Sequence, residues 1–274
     1  TWLKCIKPAS SQKIIDVAQQ ALKAIPKEYA IRGEFGEILV KYGERLGNKK
    51  LISLGKKESF GAKPSFENLL SLYHDSLIHD NFAEVRGFAL DQSEKLLARE
   101  ECSYYVKSEL QTASIYPELW FHVLLLSGEY QKLCSFLKAN NLKEQLTWGV
   151  TYFFMLYLCI DYQATAPLLR EVWESEIASL YGKANVLLFE EVMESVKTFF
   201  PFPITLRTSC FNQYLREIKA FVEETLGKQN REAYHCAAKL LIVFCEVLTE
   251  LSGAESALEL IESYRLKYPR HIAF

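Results

Sequence analysis

The residues that could do chemistry are few, and their spacing argues against each grouping. His74-Asp75 and His79-Asp80 have the make-up of a metal or acid–base unit. On a helix, positions 74 and 79 point to different sides, whereas zinc-binding histidines on one helix stand four apart. Leu72, Leu77 and Ile78 supply a core face around them, so the expected reading is a solvated helix end capped by Asp80-Asn81. His122 and His235 are flanked by apolar residues, where a hydrogen-bonded helix histidine is the default. Cys236 adjoins His235, but neighbours on a helix point about 100° apart and form no dyad. There is no Gly-x-Ser-x-Gly elbow. Gly47-Asn48-Lys49-Lys50 and Gly55-Lys56-Lys57 lack the spacing of a phosphate loop and have no βαβ context. No catalytic residue, metal site or cofactor is expected, and the protein reads as a non-enzyme.

Three other residue classes bear on binding. Lys49, Lys50, Lys56, Lys57 and Lys63 form the one basic cluster. They read as a solvated loop, with a patch for an acidic partner as the sharper alternative. The seven cysteines are odd in number, widely spaced and without a CxxC. Cys134, Cys159, Cys236 and Cys245 lie among Leu, Phe and Val on helical patterns, where buried reduced thiols acting as small hydrophobes fit best, in a reducing compartment. Aromatic residues reach 13%. Most lie on helix stripes beside Leu and Val. Tyr104, Tyr105, Phe199, Phe200 and Phe202 stand out as candidate protein-interface residues. In Phe199-Phe200-Pro201-Phe202-Pro203 a helix cannot pass Pro201, and each proline pushes the residue before it toward an extended conformation. An extended segment sends its rings to different sides, so one of Phe200 and Phe202 packs inward while the other reaches solvent or a partner.

The elements that must position these residues are helices. Apolar residues from Ile14 to Ile25 recur at three- and four-residue steps, and Pro26 stops the run. A second helix spans Ile31 to Leu46 and ends at Gly47. Asn48 to Lys63, rich in Lys, Gly and Ser, reads as a flexible loop, with Lys50 to Leu54 as a weak strand candidate. Further helices are expected over Pro64 to His79, Phe82 to Arg99, Ser103 to Ala113, Glu118 to Leu126, Glu129 to Ala139, Leu142 to Ile160, Gln163 to Ser175, Ile177 to Phe199, Thr205 to Leu226, Arg231 to Leu251 and Ala254 to Lys267. Trp148 to Ile160 is thirteen residues without a charge. That is short of the roughly 20 that span a bilayer, so it reads as a buried core helix carrying Phe154. The fold class is therefore all-α, about thirteen helices in antiparallel pairs. Residues 1–47 form an N-terminal helical hairpin, 48–63 a Lys-rich loop, and 64–274 a helical-repeat domain continuous with the hairpin.

Repeats favour an array over an all-α globule. Glu129-Tyr130-Gln131 and Asp161-Tyr162-Gln163 repeat an acidic-Tyr-Gln triplet 32 residues apart, each after an apolar helix. Gly253-Ala254-Glu255-Ser256-Ala257 opens a third such helix, continued by Leu258, Ile261 and Tyr264 to Pro269. This stretch resembles the second helix of a tetratricopeptide repeat. Ala257 matches the small residue where the two helices touch, Ile261 the large packing residue and Pro269 the closing proline, while Tyr264 departs from the pattern. Pro117, Trp120 and Leu124 resemble a first helix, with Trp120 about one turn too near Gly128. The resemblance implies an α-solenoid whose helix pairs bury their apolar faces only by stacking.

The 274 residues carry a net charge of −2, without the basic excess of a phosphate-tracking protein. The favoured function is a non-enzymatic helical-repeat scaffold, one subunit of a larger intracellular assembly, binding other protein subunits. A helical-repeat RNA- or DNA-binding protein is the alternative, and an all-α enzyme with a site assembled from distant residues is the third. No membrane contact is expected. The nucleus is slightly favoured over the cytoplasm, and the abrupt ends at Thr1 and Phe274 read as those of a fragment.

Overall fold

A computed structural model describes residues 10–102, 117–139, 155–160, 166–228 and 234–268. The described residues form helices and turns, with no β-strand among them. They fall into two compact units: residues up to Glu129 with Leu187–Val196, and Tyr130–Val186 with Lys197 onward.

The first unit begins with α1 (Ser11–Ala24), which buries Ile14, Ile15, Ala18, Ala21 and Leu22 along one stripe. Antiparallel to one another follow α2 (Arg32–Leu46) and α3 (Lys49–Ala62). Gly47 turns the chain between them at a φ of 62°, and Asn48 N–H reaches back to the Gly43 carbonyl at 2.8 Å. A left-handed residue closing the last turn is the common glycine C-cap. Asn48 then caps α3 by accepting from Leu51 N–H.

Residues 48–63 are thus not the flexible loop expected from composition, and Lys50–Leu54 is not a strand. Leu51, Gly55, Ser59 and Ala62 are buried at helical spacing, with the lysines on the other faces. The glycine that read as loop chemistry is instead the contact surface. A Cβ on Gly55 would stand 2.5 Å from the Gly36 carbonyl oxygen, and one on Gly36 would stand 2.6 Å from that of Gly55. Only two glycines let the backbones approach so closely.

Arg32 ties this region together. It is 4% exposed, and its guanidinium holds Glu58 from two nitrogens at 2.8 and 2.9 Å. It also donates to the carbonyls of Leu22, at 2.6 Å, and Ile25. These are carbonyls of the end of α1, left open by the helix and filled by a charged donor.

Next come α4 (Phe66–Ile78), α5 (Phe82–Cys102) and α6 (Pro117–Leu126). Ser65 caps α4 through Asn68 N–H, and Asp80, at a φ of 54°, closes its far end. Leu119 through Leu126 are all buried, so α6 is surrounded by core on every side. Tyr73 meets Ser127 Oγ at 2.5 Å, and Arg86 donates to the Ser127 carbonyl at 2.7 Å and pairs with Glu129.

The second unit contains α7 (Tyr130–Ala139), residues 155–159 as a helical stretch, and α8 (Pro167–Tyr181). It also holds both ends of α9 (Ala184–Phe199), with α10 (Ile204–Gly227), α11 (Tyr234–Ser252) and α12 (Ala254–Lys267). The expected break at Ser175 does not occur. α8 runs on to Tyr181 and ends at Gly182, whose φ of 87° suits glycine alone. Glu246 of α11 accepts from the N–H groups of Leu168 and Leu169 at 2.9 and 2.7 Å, a cap on α8 supplied from another helix. Phe211 stacks on Phe244 with centroids 4.7 Å apart. Met155, Leu156, Leu158, Cys159 and Ile160 are buried, as a core segment should be, while Phe154 lies outside the described residues.

In α12, Ala257, Leu260 and Tyr264 face inward. Ile261, the residue matched to the large packing position of a tetratricopeptide helix, is 41% exposed. The buried stripe therefore runs through 257, 260 and 264, because Tyr264 takes the inward place that the repeat reserves for a small residue.

Candidate protein interface

The aromatic turn is built from both of its ends. α9 stops at Phe199, ahead of Pro201, and Pro203 leads into α10, with Arg207 N–H bonded to the Pro203 carbonyl at 2.8 Å. Two residues before the turn, Lys197 Nζ donates to the carbonyls of Tyr157 and Ile160 at 3.0 and 2.9 Å and sits 4.1 Å from the Tyr157 ring centroid. A cation on the last carbonyls of a helical stretch is favourable. It also fixes where α9 delivers its final residues.

From that anchored base the side chains diverge. Phe202 turns inward, 5% exposed, edge-on to Tyr130 of α7 with centroids 5.0 Å apart. It is a packing residue, which corrects its reading as an interface anchor. The ring is taken in because α7 offers an aromatic face at the start of its first turn. Phe200 is half-buried. Phe199 is 54% exposed and Ile204 is 75% exposed. The residue that sequence reasoning missed is Ile204. Its signal was its place as the first helical residue after Pro203. Tyr104 and Tyr105 lie outside the described residues.

The lysines do not gather into a patch. Lys56 pairs with buried Asp75 at 3.3 Å, Lys57 with Glu84 at 2.5 Å, and Lys63 with Glu37 at 3.8 Å. Lys57 holds the Glu84 carboxyl below its usual range. Lys49 and Lys50 are exposed in the first turn of α3. A groove of about 280 Å³ opens beside Lys56, between Glu37 and Glu44 of α2 and Asn68 and Ser71 of α4. It is lined by both signs of charge, Glu37 and Glu44 against Lys41 and Lys56.

The histidines separate as their spacing implies. His74 Nε2 meets Glu191 at 2.9 Å, while His79 Nδ1 meets the Asp75 carbonyl at 3.0 Å. His122 is buried against the Phe66 ring, with centroids 4.6 Å apart, and burial pushes its imidazole down to about 3. Among the described residues no three His, Cys, Asp or Glu side chains come together as metal ligands, and no helix is long and apolar enough to cross a membrane.

Comparison with known proteins returned no matching family model, no matching curated protein and no matching solved structure.

Proposed function

We propose that the chain is a non-enzymatic helical scaffold whose Phe199–Ile204 turn is a contact for another protein subunit. The observation that carries this reading is the exposure of Phe199 and Ile204 on either side of a turn whose third apolar residue, Phe202, is locked inward. Large apolar side chains held on a rigid turn resemble the anchors that dominate protein interfaces. The finer architecture belongs to the same proposal: an array of antiparallel helix pairs of tetratricopeptide-like character, working as part of a larger assembly. The buried cysteines favour a reducing compartment, nucleus or cytoplasm.

The alternative, a nucleic-acid-binding helical repeat, has less support. It needs a basic stripe, and three of the five clustered lysines are engaged by carboxylates.

Separate Phe199→Ser, Ile204→Ser and Phe202→Ser variants test the reading through melting temperature and partner recovery from extract. The first two should keep the wild-type melting point and lose the partner. Phe202→Ser should melt early, since emptying an aromatic core site costs about 3–5 kcal/mol. Early melting in all three variants, or partner recovery unchanged in the first two, would remove the turn from the interface.

A further inference from the structure

Two thiols that the function above does not use lie against each other in the second unit. Cys134 of α7 and Cys210 of α10 have Sγ atoms 3.1 Å apart, and the side chains are 7% and 5% exposed. The residues stand 76 apart in sequence, so the contact is made by the fold alone. A disulfide has its sulfurs about 2.05 Å apart, so bonding needs an approach of about 1 Å. The contact lies beyond the Tyr130–Phe202 contact, with Cys134 one turn after Tyr130 on α7 and Cys210 on the helix that the Phe202 turn leads into.

We propose that Cys134 and Cys210 are a modification site at which a hydroperoxide forms an intramolecular disulfide joining α7 to α10. The balance closes with hydrogen peroxide. One thiolate attacks a peroxide oxygen, giving a sulfenic acid and, after protonation of the leaving hydroxide, water. The second thiol then attacks that sulfur, the S–S bond forms, the S–O bond breaks and a second water leaves. Two thiols are oxidised by two electrons and one peroxide is reduced. An added dithiol reverses the reaction by exchange, so the pair stays reduced in a reducing medium.

Cys159 is the competing thiol. It lies near Cys210 and contacts the Arg207 carbonyl from 3.9 Å, and burial above all pushes its thiol up to about 12. The close sulfur contact of Cys210 at 3.1 Å is with Cys134, so geometry makes Cys134 its partner and leaves Cys159 the spectator. Burial of the pair favours a small oxidant over a large one.

The test uses the full chain with exposed Cys236 replaced, C236S, to suppress links between copies. After a timed exposure to peroxide, remaining thiols are alkylated and the digest is mapped by mass spectrometry. The expected product is one peptide pair joining Cys134 to Cys210. It should come with a rise in melting temperature on the order of 10 °C, because a long loop is closed in the unfolded chain. Dithiothreitol should abolish both, and Cys134→Ser should prevent both. A Cys159→Ser variant, folded by circular dichroism, should form the same link. A link between Cys159 and Cys210, sulfinic acid at either residue without a link, or thiols that react only after denaturation would each overturn the proposal.

Discussion

At the scale of the residue, His122 shows how far burial overrides composition. Beside apolar neighbours in the sequence it read as a hydrogen-bonded helix histidine, and the fold encloses it between Phe66 and Phe121. Its imidazole falls from 6.5 to about 3, with desolvation the cause. Between those values the unfolded chain takes up a proton that the folded chain refuses. Stability therefore drops as pH falls through this window, by up to about 1.4 kcal/mol per pH unit from this group. His122→Gln removes the titration. Its melting temperature should fall less steeply than that of the wild type between pH 7 and pH 4.5, and parallel curves would show that the site admits water. Arg32 was invisible at this scale. Nothing local marks it out, because its partners, the carbonyls of Leu22 and Ile25 and the Glu58 carboxylate, are assembled by three helices.

Element by element, most helices were legible because their apolar stripes recur at a helical period and their stops are Pro26, Gly47, Pro201 and Gly253. The failures have a physical pattern. Residues 49–62 carry lysines, glycines and serines, which count against a helix one by one. What pays for α3 is contact, since Gly55 is the only kind of residue that lets α2 come so near. Gly36→Ala and Gly55→Ala should each destabilise the protein by about 1–3 kcal/mol, because the added methyl meets a backbone carbonyl that cannot turn aside. Gly87→Ala on α5 is the matched control. Its Cβ would meet nothing within 4 Å, and it should be neutral or gain up to about 1 kcal/mol from helix propensity. Urea midpoints separate the cases, and a loss at Gly87 equal to that at Gly36 would mean that the close approach is not what matters. α8 teaches the same lesson from the other side. No acceptor near Pro167 in sequence caps its start, because Glu246 arrives from α11.

For the molecule as a whole, the proposed role rests on which apolar groups the fold covers and which it leaves in solvent. The sequence marked out the 199–203 run and the divergence of its rings, but it could not assign directions. Whether Phe202 or a neighbour turns inward depends on Tyr130, some seventy residues earlier in the chain. The lysine cluster misled for the same reason, since Asp75, Glu84 and Glu37 are brought to it only by α2, α4 and α5. The most direct measurement is photo-crosslinking from position 199, with a photoreactive phenylalanine analogue in place of Phe199 and the adducts identified after nuclease treatment. The account predicts a discrete protein adduct that survives nuclease and is lost when Ile204→Ser is added. Crosslinks to nucleic acid, or no adduct from 199 while a probe at Lys49 gives one, would contradict it.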